Sequence, residues 1–161
     1  SRIALDNGLC VGALVVVNSL GNVFDPSTGK TIAGTRRKNG RGFIEAADLP
    51  LTLRCGLGRA EKNTTLGIVA TNAKLSYKQA IKMAEMAQDG IARSIRPAHT
   101  TMDGDLIYAV ATGTFKGKPS FDYVAHLASD QMAKAIVRGV RKAKSVGSIP
   151  GLADSARRGQ Y

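Results

Sequence analysis

The chain has 161 residues, 43% of them hydrophobic, and 23 Lys and Arg against 12 Asp and Glu give it a net charge of +11. That apolar content excludes a disordered chain, the length suits one domain with its own core, and no run reaches the ~18 apolar residues of a membrane span. Cys10, Cys55, His99 and His126 lack metal-site spacing, and two cysteines make no disulfide framework, so neither a metal nor a cofactor is expected and a cytoplasmic setting is.

The first element is the apolar run from Val11 to Val17, read as a buried strand ending at Asn18 and followed by Ser19-Leu20-Gly21-Asn22. Arg2 ahead of an apolar run superficially resembles a signal peptide, but Asp6 and Asn7 interrupt it and no small-x-small cleavage site follows. An asparagine amide fixed at a strand end is a hydrogen-bond donor for the oxyanion of an acyl-transfer intermediate, a role worth about 2.7 to 4 kcal/mol. The plainer reading of Asn18 is a loop-starting residue that satisfies nearby backbone groups. Residues 25 to 62 read mostly as loop and turn, rich in Gly, Lys and Arg. Within them Gly56-Leu57-Gly58-Arg59 lacks the third glycine of a dinucleotide-binding turn, with Glu61 in its place.

Asn63-Thr64-Thr65 stands immediately before a second strand, residues 66 to 72. A threonine hydroxyl is a weak nucleophile unless a base takes its proton, and the α-amine of the same residue can be that base. The amine exists only once the Asn63–Thr64 bond is cut, and it titrates near pH ~7.7 to 8.0, within reach of neutrality. Taken alone, the tripeptide is better described as a polar turn feeding a β-branched strand.

Ser76 and Gln79 form a capping-box pattern, and Tyr77, Ala80, Ile81, Ala84, Ala87 and Ile91 recur at helical spacing until Pro97 stops the helix. His99 follows in a loop and is read as a plain loop histidine. Asp103-Gly104-Asp105 then precedes a third strand, 106 to 112. Two carboxylates around one glycine can orient a hydroxyl and hold an ammonium, but they also describe an Asp-Gly turn and, less well, a divalent-metal site short of ligands. A second helix is expected from about Asp122 to Lys144, carrying His126, and a loosely held tail from Ser148. All three strands are short and apolar, as strands buried on both faces are. Strand followed by helix, twice, gives the α/β class, without fixing the order of layers.

Together, the segments at 11 to 18, 23 to 29, 63 to 73, 95 to 100, 103 to 105 and 111 to 113 resemble the self-cleaving aminopeptidases, a family that includes L-aminopeptidase/D-esterase, β-peptidyl aminopeptidases and endo-type nylon-oligomer hydrolases. The resemblance covers most of the chain up to about Gly147. It implies two β-sheets sandwiched between helical layers, an αββα arrangement, in a single hydrolase domain over residues 1 to 161. It implies cleavage between Asn63 and Thr64, leaving 1 to 63 as the end of an α-subunit and 64 to 161 as a β-subunit, with Thr64 the nucleophile, Asp103 and Asp105 completing its relay and Asn18 in the oxyanion hole. The implied substrates are small peptides, amides or oligoamides, aminohexanoate oligomers among them, and the implied assembly is an oligomer of cleaved pairs, a tetramer by the resemblance. Thr64 with Asp-Gly-Asp is closer to the nylon-oligomer branch than to members with a serine nucleophile. Members carry a longer segment ahead of the first strand, with a Tyr and a Lys for the site, so this chain is read as a fragment.

The competing reading is a basic nucleic-acid-binding module built on Arg36, Arg37, Lys38 and Arg41 with Arg138, Arg141, Lys142 and Lys144. Aromatic content of 5% with no Trp leaves no base-stacking platform, so the basic residues are read as solvated faces and neither nucleic acid nor membrane is an expected partner.

Overall fold

Strand β2 (Cys10–Asn18) runs antiparallel to β5 (Thr64–Thr71), and around this pair the chain builds a four-stranded sheet in the order β1-β2-β5-β7, with β1 spanning Arg2–Ala4 and β7 Leu106–Ala111. The structure is a computed structural model and describes residues 1–39, 42–45, 48 and 63–155. β5 and β7 are parallel, and the connection between them contains helix α1 (Tyr77–Ser94), as a parallel pair requires. A smaller sheet, β4-β3-β6, joins Asn22–Phe24 (β3) to Thr31–Ala33 (β4) and to Ile95–Arg96 (β6) directly after α1. Helix α2 spans Phe121–Lys142, and a short α3 spans Leu152–Ser155.

The chain thus has the expected α/β class, with two sheets and packed helices. Ser76 caps α1 as its sequence indicates: its hydroxyl accepts from the Gln79 amide, and the Gln79 side chain accepts from the Ser76 amide at 2.9 Å. Asp122 lies in the first turn of α2 and Arg141 and Lys142 in its last, each complementing the helix dipole. Both helices lie on one face of the large sheet, where Val11, Val69 and Ile107 pack with Met83, Ile91 and Met132. At the end of β3, the Asp25 carboxylate accepts from the Ser27 amide and hydroxyl and pairs with Arg141 of α2. The Ser27 contacts, with Arg141 beside them, hold the Asp25 carboxyl below its usual pKa against the opposing effect of burial.

Two expectations are corrected. The long strands are not buried on both faces: residues alternate along them, and Leu14, Val16, Leu66, Ile68, Tyr108 and Val110 form an exposed outer face, with Leu14 72% and Tyr108 60% accessible. Apolar runs without polar alternation conceal this, because both faces of each strand are apolar although the helices cover only one. The stretch from Ser148 to Asp154 is also held: Val146 and Ile149 exchange backbone hydrogen bonds, and the Ser145 amide donates to Asp154 at 2.7 Å. Cys55, the Gly56 to Arg59 stretch, Arg41 and residues 156 to 161 lie outside the described residues.

The two helices touch closely at Gly90 of α1, where an added Cβ would stand 2.4 Å from the Ser129 carbonyl oxygen and 2.8 Å from Met132 Cβ. Gly139 of α2 has open space instead. Replacing helical Gly by Ala gains about 0.8–1.0 kcal/mol in propensity, whereas forced overpacking costs about 1–3 kcal/mol. Gly90→Ala is therefore expected to lower the urea midpoint of the full-length protein and Gly139→Ala to raise it. Equal shifts for the two would show that the helices separate without cost.

Candidate active site

The end of β2 and the starts of β5 and β7 meet at one rim of the large sheet. The β2–β5 register sets Asn18 directly opposite Thr64, with Val17 opposite Thr65. Facing residues of an antiparallel pair point to the same side with Cβ atoms about 4.5–5.5 Å apart, so Asn18 and Thr64 share the outer face. Alternation separates the two threonines. Thr65 is fully buried on the helical side, while Thr64 is half-buried at the rim.

Asn63 extends the β5 edge toward Asp103 through a parallel bridge. Its amide donates to the Met102 carbonyl at 3.2 Å, and its own carbonyl oxygen accepts from the Gly104 amide at 2.9 Å. The Thr64 hydroxyl donates to that same Asn63 oxygen at 2.5 Å. The residue ahead of the threonine is thus locked by backbone ladder bonds, with the hydroxyl resting on its carbonyl.

Each Asp-Gly-Asp carboxylate has its own donors. Asp103 accepts from the Thr100 hydroxyl at 2.6 Å, the Thr100 amide at 3.1 Å and the Leu20 amide at 3.3 Å, which ties the loop to the turn after β2. Asp105 accepts from the Thr65 amide at 2.8 Å through one oxygen. Its other oxygen lies 2.9 Å from His99 Nδ1 and accepts from the His99 amide at 3.3 Å. The Asp105 side chain is only 5% exposed and reaches the peptide one residue past Thr64.

Asn18, Asn63, Thr64, Asp103 and Asp105, separated by up to 87 positions, are therefore gathered at one rim. Four participants escaped the sequence reading. His99 is a partner of Asp105 and not a plain loop residue, and it adopts a positive φ of 55° that no local pattern announces. The Leu20 and Gly104 amides are backbone groups, invisible as residue types. Thr100 did carry a signal, a hydroxyl three residues before an aspartate, as in side-chain turns.

Among the described residues no three His, Cys, Asp or Glu side chains gather as a metal site, and no helix is long and apolar enough to cross a membrane. Of the basic residues, Arg37 pairs with Glu45 and Arg36 stacks over Phe43. Arg138, Arg141 and Lys142 line a groove of about 540 Å³ shared with Asp25 and Asp130, and none of Asn18, Thr64, Asp103 or Asp105 lines it.

Comparison with known proteins places relatives beside this chain. An uncharacterized aminopeptidase of Mycobacterium tuberculosis is 37% identical over 164 aligned positions, covering 91% of this chain and 48% of the relative. A 6-aminohexanoate-oligomer endohydrolase of Kocuria sp. is 28% identical, covering 80% of this chain and 40% of the relative. The chain spans about half the length, or less, of these relatives. Among solved structures, a Burkholderia sp. β-aminopeptidase superposes with a TM-score of 0.56 at 21% identity, over 100% of this chain and 48% of that one. The L-aminopeptidase D-Ala-esterase/amidase of Ochrobactrum anthropi, described as a variant of the Ntn hydrolase fold, gives 0.58 at 18% identity, over 92% and 40%. These two likenesses show a shared fold. Residues 1–152 match peptidase family S58, and the chain belongs to that family.

Proposed function

We propose that the chain carries the nucleophile of an amide hydrolase that cuts itself between Asn63 and Thr64 and then uses Thr64 as an amino-terminal nucleophile. The observation that carries this reading is the Thr64 hydroxyl resting 2.5 Å from the Asn63 carbonyl oxygen, on the outer face opposite Asn18. In self-cleavage, Thr64 Oγ1 adds to the Asn63 carbonyl carbon. The C–N bond breaks, the hydroxyl proton ends on the departing nitrogen, and water then opens the resulting ester to give an Asn63 carboxylate and a free Thr64 amine and hydroxyl.

In turnover, that amine takes the proton of the Thr64 hydroxyl as it attacks a substrate amide. Asn18 donates its side-chain amide to the oxyanion. Asp105, already bound to the Thr65 amide one peptide away, holds the amine when it is protonated, and Asp103 fixes the loop that carries Asp105. Residues 1 to 63 and 64 to 161 then belong to separate chains that stay paired through β2 and β5. The relatives named for aminopeptidase and oligoamide activity support small peptides, amides or oligoamides as the substrate class. The chemistry calls for no cofactor, and cleaved pairs are the unit from which an oligomer would form.

Intact mass and amino-terminal sequencing of the full-length gene product test the proposal. A new amino terminus at Thr64 is expected, and Thr64→Ala should abolish both the cut and amide hydrolysis. A cut at another bond, or a processed and active Thr64→Ala protein, overturns it. Asn18→Ala is expected to lower kcat by about 10²- to 10³-fold, the range for a single oxyanion donor, with little change in KM; a change confined to KM would remove Asn18 from the oxyanion site.

A further inference from the structure

Asn18 cannot be the whole answer to the charge that develops during self-cleavage, because the oxygen that becomes the oxyanion in that step belongs to Asn63 and already has a backbone donor. The Gly104 amide points at it from 2.9 Å, within the 2.7–3.1 Å range of oxyanion-hole donors. The donor is rigidly held. Asp103 pairs with Asn63 across a parallel bridge, the Asp103 amide donates to the Thr100 carbonyl at 3.0 Å, and the Asp103 carboxylate is anchored by Thr100 and Leu20. Such a donor needs no reorganisation as charge appears, which is what makes preorganised dipoles effective.

The absent side chain of Gly104 matters as well. A Cβ there would lie 3.1 Å from Thr64 Oγ1 and 3.8 Å from the Asn63 oxygen. It would press on the Thr64 hydroxyl. A glycine between the two aspartates thus has a second effect besides turn-making, since any side chain there would crowd Thr64 Oγ1.

Resting on the self-cleavage reading above, we propose that Gly104 is a catalytic residue of the cut: its amide is the oxyanion donor for the Asn63 carbonyl, and its missing side chain leaves the Thr64 hydroxyl uncrowded. Addition of Thr64 Oγ1 moves the carbonyl π electrons onto the Asn63 oxygen, where the Gly104 N–H meets them. Collapse of that intermediate expels the Thr64 nitrogen, which leaves with the hydroxyl proton.

The experiment follows the cut by intact mass in three full-length proteins: wild type, Thr64→Ala, and a protein with glycolate in place of Gly104, which exchanges the amide N–H for an ester oxygen at nearly the same shape. Wild type should cut, Thr64→Ala should not, and the glycolate protein should cut about 10²- to 10³-fold more slowly while melting cooperatively. Wild-type cutting in the folded glycolate protein overturns the role of the amide and leaves the self-cleavage reading standing. A wild type that is never cut overturns both. Should the glycolate protein fail to fold, Gly104→Ala keeps the N–H but presses on Thr64 Oγ1, and at least tenfold slower cutting is expected; an unchanged rate overturns the proposal.

Discussion

The antiparallel register between β2 and β5 is the constraint on which the site depends. Eight consecutive pairings, from Val11 with Thr71 to Asn18 with Thr64, align an apolar ladder so that its last rung is polar. Because side chains alternate with a period of two, a slip of one residue would send Thr64 into the helical core and bring Thr65 to the rim. The core prevents the slip. On the inward side of β5, Thr65, Val69 and Thr71 are buried and Gly67 lies against the end of Met132, so a slip would expose these residues and bury their outward neighbours. Packing at the middle of the strand thereby decides which of two adjacent hydroxyls faces outward at its end.

The loop from His99 to Asp105 completes the rim through backbone groups more than through side chains. Its carboxylates are satisfied by amides of Leu20, Thr65, His99 and Thr100, so each aspartate is fixed by chain segments that differ in origin. Charge-assisted hydrogen bonds of this kind are shorter and stronger than neutral ones. They also couple the two sheets' connections, since Leu20 lies between β2 and β3 and the loop lies between β6 and β7. A rim held in this way is tied to both sheets at once.

Much of this was legible in the sequence, for identifiable reasons. Helix α1 announced itself through Ser76, Gln79 and a clean 3.6-residue spacing, and its observed span ends at Ser94, before the expected stop at Pro97. The strand ends at Asn18 and the strand starts at Thr64 and Leu106 marked polar-to-apolar transitions that the sheet then gathers on one side. The short strands β1, β3, β4 and β6 were missed because two or three residues make no period, and they exist through pairings with partners distant in sequence. The role of His99 was missed for a different reason: its partner, Asp105, is close in sequence, but His99 has a left-handed backbone, with both its amide and its ring at that carboxylate, and no local pattern announces it.

The outer apolar face has an effect that its exposure alone does not express. Thr64 and Asn18 stand at the border of the patch made by Leu14, Val16, Leu66 and Tyr108, on the same side of the sheet. An apolar body on that patch would also remove water from around the threonine hydroxyl and lower the local dielectric, strengthening the dipoles aimed at the Asn63 carbonyl. Covering of the sheet would in this way also change the surroundings of the hydroxyl at its rim, because the apolar middle and the polar end of the same two strands share one face.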